Sequence, residues 1–111
     1  MRIGVAGSVG NDHLMTFEGK FSDSLVEGSL ATVSLSFLVD SLEKRRGGCA
    51  ANISFGMGAL GLSPILIASV GVDWPDYDAW LKRHGVDTRF VKVSETLYTA
   101  TFMVTTDQEL N

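Results

Sequence analysis

Three groups of side chains in this sequence have the types and spacing to hold a small polar molecule. Asp12 follows the apolar run Ile3 to Val9 and the loop-like Gly10-Asn11. A carboxylate just past the end of a buried strand lies where open α/β sheets bind ligands, and it can accept both hydroxyls of a vicinal diol such as a ribose. The same pair of residues also reads as an Asx turn built on Asn11. Gly47-Gly48, with Asn52 four residues on, is the second group. Glycines at a helix start open backbone N–H groups to close approach, and an amide one turn in can both donate to and accept from a sugar hydroxyl. A tight strand-to-helix corner with Asn52 solvated or capping is the other reading. Phe37 and Phe102 form the third group, each beside short polar residues such as Ser36 and Thr101. On strands they would either stack on a planar base or fill a core.

Other constellations fall away. Gly4, Gly7 and Gly10 are spaced G-x-x-G-x-x-G and lead into more strand-like sequence, not into the helix a dinucleotide fingerprint needs. Gly19-Lys20 lacks the upstream glycine and the Ser/Thr of a phosphate-binding loop. Ser8, Asp12 and His13 have the residue types of a triad without the strand-to-helix elbow. His13 and His84 are not at metal-ligand spacing, so no metal site is expected within the chain. Lys44-Arg45-Arg46 can steer phosphate or simply close a solvated strand.

These side chains need elements to position them. Leu14 to Phe17 reads as a second strand, the segment from Phe21 to Leu30 as loop with one helical turn, and Val33 to Val39 as an alternating strand. A helix rich in small residues runs from the paired glycines to Gly61, with Ala50, Ile53, Met57 and Leu60 on one apolar face. Pro64 to Val70 is a fully apolar run, as in a parallel strand covered on both sides. Asp73 is placed to cap the next helix, Pro75 to open it and Gly85 to end it, with Tyr77, Trp80, Leu81 and His84 as its buried stripe. Val86 to Val93 and Tyr98 to Val104 read as two further strands. Two strand–helix–strand steps predict a parallel sheet, interrupted by a β flap.

Composition agrees with a globular domain. The 111 residues are 45% hydrophobic and 20% charged, with two prolines and the single cysteine Cys49, which excludes disulfide-stapled classes. Thirteen acidic against nine basic residues argue against nucleic-acid or anionic-membrane partners. No apolar stretch is long enough to span a bilayer, and a cytoplasmic location is expected.

The residues just described resemble the ribokinase-like (PfkB) carbohydrate and nucleoside kinases. The resemblance rests on Gly7-Ser8 with Asp12, Gly47-Gly48 with Asn52, Ser69-Val-Gly71-Val-Asp73, and Leu81 with His84-Gly-Val-Asp87. Asp12-His-Leu-Met, Val33-Ser-Leu-Ser-Phe-Leu-Val-Asp40 and Ser94-Glu-Thr-Leu-Tyr-Thr-Ala100 resemble more narrowly the bacterial adenosine kinases of the actinobacterial type. The resemblance implies an α/β fold: a three-layer, doubly wound sheet with a small β-sheet lid, of which residues 1–111 would be the N-terminal portion. Lid strands are then expected over about 13–46 and 95–111. It implies ribose contacts from Asp12, Gly48 and Asn52 with Ser8 and Gly47 beside them, a base-stacking Phe102, and Ser36 and Phe37 on the matching lid strand. It also implies ATP and Mg²⁺ as cofactors, a nucleoside or sugar as the small-molecule partner, and homodimerisation through the lid. The family's Asp base, in a Gly-Ala-Gly-Asp-type motif, has no counterpart in this sequence, so the 111 residues alone are expected to be inactive. Two alternatives stand beside adenosine phosphorylation: another sugar kinase of the family, and a stand-alone nucleoside-binding or dimerising module.

Overall fold

In the computed structural model, which describes residues 2–21 and 38–109, seven strands and two helices follow one another along the chain. They are β1 (Gly4–Ala6), β2 (Gly10–Thr16), β3 (Ser41–Gly47), α1 (Cys49–Ala59), β4 (Ile65–Ile67), β5 (Ser69–Val70), α2 (Pro75–Arg83), β6 (Lys92–Val93) and β7 (Ala100–Thr106). The expected loop before Leu30 lies almost wholly outside the described residues, as do Ser36, Phe37 and most of the strand expected over Val33 to Val39. The chain divides into two units, one of Met1–Asn11 with Arg46–Phe102 and one of Asp12–Arg45 with Met103–Asn111.

The first unit is an α/β body. β1 pairs in parallel with β4, Gly4 opposite Ile65 and Ala6 opposite Ile67, and β5 pairs in parallel with β6. The apolar run from Pro64 is therefore two short strands, broken at Ala68. Val86 to Val93 likewise keeps only a bridge from Asp87 to Ile65 and the pair Lys92–Val93. The interruption has a local cause: the Asp87 carboxylate accepts the Arg89 backbone N–H at 3.0 Å, turning the chain away from the ladder.

Both helices end in the same way. Past α1, Gly61 N–H donates to Gly58 O and Leu62 N–H to Met57 O; past α2, Gly85 N–H donates to Lys82 O and Val86 N–H to Leu81 O. This is the Schellman pattern, and in α2 it brings the buried Val86 over the buried Leu81. Gly85, at φ 85°, takes the left-handed position it was expected to fill. Acidic Asp76 and Asp78 at the start of α2, and Lys82 and Arg83 at its end, complement the helix dipole.

The core lies between these helices and the parallel strands, around Leu66, Tyr77, Trp74 and Leu81. α2 buries Tyr77 and Leu81 as its stripe requires. α1 corrects its expected stripe: Ile53 is 53% exposed and Leu60 is 82% exposed, while the buried side is Ala50, Ala51 and Ser54. The helix lies so close to its neighbours that only small residues fit. A Cβ on Gly58 would overlap the His84 carbonyl. Ile53 and Leu60 are displaced to the outer side, while Phe55 packs half-buried against Trp80.

The second unit is built on a sheet in the order β3-β2-β7. Phe17 N–H donates to Thr106 O at 2.8 Å and Asp40 N–H to Thr16 O at 2.8 Å, tying the strand ends. Buried Asp107 anchors the chain beyond β2, accepting the Phe21 N–H at 2.9 Å. β3 contains Lys44, Arg45 and Arg46 in mid-strand, all exposed, where a strand end was expected. Two expectations for β2 are also corrected. It begins at Gly10, so Asp12 is a strand residue and not part of a loop after β1. Asn11 makes no Asx turn; its amide donates to Asp73.

Candidate functional site

The first unit brings Ser8, Val9 and Gly10, at the start of β2, against Gly48 and the first three residues of β7, Ala100, Thr101 and Phe102. Together they line a cleft of about 230 Å³. Gly48 is the hinge of this arrangement. It sits at φ 94° and ψ 133°, and a Cβ there would lie 2.5 Å from Val9 Cα, 2.6 Å from Ser8 O and 2.8 Å from Gly10 N. Backbone cannot yield as a flexible side chain can, so a residue without a Cβ is required on both steric and conformational grounds. Gly47, buried beside it, is held through its carbonyl by the Tyr77 hydroxyl, which donates at 2.8 Å.

Ser8 serves α1 directly. Its hydroxyl accepts the Cys49 N–H at 3.0 Å, and its carbonyl accepts Ala50 N–H at 3.0 Å and Ala51 N–H at 3.3 Å. A residue from another segment thus satisfies three of the first N–H groups of the helix, in place of a side-chain cap from Gly48. The glycine corner was expected to leave such donors open to a ligand. The N–H groups of Cys49, Ala50 and Ala51 are occupied, and the Ser8 hydroxyl hydrogen is not used by the bond from Cys49.

Asn52 lies in the first turn of α1, exposed, with its backbone N–H on Gly48 O at 3.0 Å. Phe102 is 58% exposed on the cleft wall, which answers the choice between core and surface in favour of surface. Asp12 is half-buried on β2 and belongs to the second unit. Of the candidate residues, then, Ser8, Gly48 and Phe102 line one cleft, with Gly47 directly before its Gly48 edge and Asn52 one helical turn beyond it.

Reasoning from sequence missed a second feature of this unit. Asp73 does not cap α2, whose N-cap is Trp74. Its carboxylate instead accepts the Thr99 backbone N–H at 2.8 Å through one oxygen and the Asn11 amide at 3.0 Å through the other. Thr99, 3% exposed, accepts the Gly71 N–H on its own hydroxyl at 3.0 Å. Partial burial works to raise the Asp73 pKa, but the hydrogen bonds from Thr99 and Asn11 together outweigh it and hold the carboxyl below its ordinary value. The only signal in the sequence was Asp73 within Ser69-Val-Gly71-Val-Asp73, where a helix cap was the simpler reading.

Among the described residues no three His, Cys, Asp or Glu side chains gather to hold a metal.

Parallel strands joined through helices, a glycine-hinged cleft at the strand ends and a three-stranded sheet define an α/β protein of the ribokinase-like fold. Over residues 19–111 the chain matches the pfkB family carbohydrate kinases, and it belongs to that family. Its solved relatives are of the same kind. The nucleoside kinase of Burkholderia thailandensis, in complex with inosine, is 32% identical with a TM-score of 0.73, over 100% of this chain and 34% of that one. The nucleoside kinase of Methanocaldococcus jannaschii is 26% identical with a TM-score of 0.78, over 99% and 34%. A ribokinase from Cryptococcus neoformans in complex with ADP shares the fold at 24% identity and a TM-score of 0.78, over 99% and 32%. The chain therefore spans about a third of the length of the solved relatives it matches. None of the described helices is long and apolar enough to cross a membrane.

Proposed function

We propose that this chain is the nucleoside-holding portion of an ATP-dependent kinase whose substrate is adenosine. In the reaction the 5′-hydroxyl of adenosine attacks the γ-phosphorus of ATP, ADP leaves, and the hydroxyl proton is released, giving AMP. The catalytic base and the ATP site lie outside these residues in this reading. What the chain contributes is the hold on the nucleoside, with Phe102 against the base and Ser8, Gly48 and Asn52 at the ribose. Asp12 is assigned the ribose diol on its motif match, its two oxygens accepting the 2′- and 3′-hydroxyls. The second unit corresponds to the lid.

The observation that carries the reading is Phe102, more than half exposed on the wall of a cleft hinged by Gly48. A free sugar has no planar face that needs an aromatic partner, whereas a purine does. The cleft of about 230 Å³ is smaller than the roughly 300–1,000 Å³ of complete ligand pockets, as suits part of a site. Both nucleoside kinases named above are similar to the chain over essentially all of it.

The test is Phe102→Ala in the polypeptide that carries this chain, with adenosine and ribose titrated separately by equilibrium dialysis. Base–aromatic stacking is worth about 1–3 kcal/mol, so adenosine should bind roughly 5- to 150-fold more weakly. Ribose affinity should stay as it was. Unchanged adenosine affinity would remove the main physical support for a nucleoside, and tight ribose binding without adenosine binding would favour a sugar kinase of the same family.

A further inference from the structure

The three-way junction at Asp73 has no part in the substrate contacts just proposed, yet it holds β2 at Asn11 and the residue directly before β7, the strand that carries Phe102. One oxygen holds the amide of Asn11, the residue directly before Asp12 on β2. The other holds the backbone N–H of Thr99, three residues before Phe102 and next to the first residue of β7. The loop bearing Asp73 is itself tied to Thr99 a second time, by the Gly71 N–H on the Thr99 hydroxyl, and to its own turn by Trp74 N–H on Gly71 O. Gly71 has no room for a side chain, since a Cβ there would fall on the Leu97–Thr99 backbone. The junction is therefore held by four named hydrogen bonds within the α/β body, with Asp73 itself at the surface.

Such a junction does geometric work that a helix cap would not. β2 and β7 are the passages by which the chain leaves this body, and each begins within two residues of an Asp73 contact. We propose that Asp73 is a positioning residue for the nucleoside site, its carboxylate fixing Asn11 near the start of β2 and Thr99 just ahead of β7 and thereby presenting Phe102 on the wall of the cleft. It touches no substrate atom. The inference rests on the nucleoside-kinase reading for the identity of the substrate, but its geometry does not.

Complementarity between Asn11 and Asp73 supplies the test. Asn11→Asp removes the donor and sets two carboxylates about 3.0 Å apart, which neither can relieve by turning over. Loss of this charge-assisted bond should raise the KM for adenosine about tenfold or more, with the KM for ATP unchanged within about twofold. The double variant Asn11→Asp with Asp73→Asn exchanges donor and acceptor, keeps an acceptor for the Thr99 N–H, and should return the adenosine KM to within about threefold of the parent. Should Asn11→Asp fail to fold, Asn11→Ala removes the donor without adding charge and should raise the same KM about threefold to tenfold at an unchanged Tm. The proposal is overturned if the single variants leave the adenosine KM where it was, or if the double variant melts like the parent without recovering its KM. A parent protein that phosphorylates a sugar and no nucleoside overturns the substrate reading alone, and the same series on that sugar then reads the junction through the cleft lined by Ser8, Gly48 and Phe102.

Discussion

Placing a single methyl group on Gly48 tests the hinge of the cleft. Gly48→Ala meets two separate costs. Its backbone, at φ 94° and ψ 133°, is a conformation that costs a residue with a Cβ about 1–3 kcal/mol. The added carbon would also lie 2.5–2.8 Å from backbone atoms of Val9, Ser8 and Gly10. Overpacking against such neighbours costs about another 1–3 kcal/mol. The sum, roughly 2–6 kcal/mol, is a large share of the 5–15 kcal/mol that stabilises a typical domain. In urea it should lower the unfolding midpoint by roughly 1–3 M, read by circular dichroism with the slope unchanged. Gly56→Ala is the control: it lies in the same helix with nothing within 4 Å of an added Cβ, and should stabilise by about 0.5–1 kcal/mol. Two glycines eight residues apart thus respond with opposite signs. If Gly48→Ala shifted the midpoint by less than about 0.3 M, or moved it in the same direction as Gly56→Ala, the steric account of the hinge would be wrong.

Two further outcomes follow from single side chains. Ser54 is fully buried on α1 and its hydroxyl finds no hydrogen-bond partner among the described residues, so Ser54→Ala should raise stability by about 1–3 kcal/mol. Chemical denaturation measures it, and a loss of stability would show that the hydroxyl is satisfied after all. Hydrogen bonds from the Arg89 side chain and backbone, reinforced by its charge and that of Arg2, hold Asp87 at a pKa of about 2. A depressed carboxyl adds stability above its unfolded value near 3.9, and that stability disappears as the pH falls through the folded value. Arg89→Gln should therefore move the Asp87 carboxyl resonance toward an ordinary titration near 3.9, and the stability gap between variant and parent should close between about pH 4 and pH 2. A gap that persists at pH 2 would place the effect outside this ion pair.

Much of the α/β body was legible in the sequence, for reasons that differ between elements. α2 was readable because Pro75, the Tyr77–Leu81 stripe and Gly85 all point to one helix with one buried side. The start and end of α1 were readable from its flanking glycines, but its buried face was not. Nearly every position there is apolar or small, so periodicity alone favoured the bulky residues, while close packing against its neighbours selected Ala50, Ala51 and Ser54. Strand lengths were overestimated where a short-range side-chain bond to the backbone, such as Asp87 with the Arg89 N–H, diverts the chain. In the site, Gly48 and Phe102 could be picked out as residue types in context. The occupation of the α1 donors by Ser8, and the engagement of Asp73 with Asn11 and Thr99, could not, because each joins segments dozens of residues apart.

The order of the β3-β2-β7 sheet has a consequence for biosynthesis. β2 is the middle strand, yet its neighbours arrive at very different times. Thr16 meets Asp40 after 24 positions, whereas Phe17 waits until Thr106 for its partner. At translation rates of about 5–20 residues per second, one edge of β2 stays bare on the ribosome for several seconds after the other is covered. During that interval β2 and β3 present a lone ribbon, which is at best marginally stable. The nascent chain thus carries an open strand edge for as long as the residues between β3 and β7 take to be made, a natural place for a chaperone to act and for a neighbouring chain on the same message to intrude.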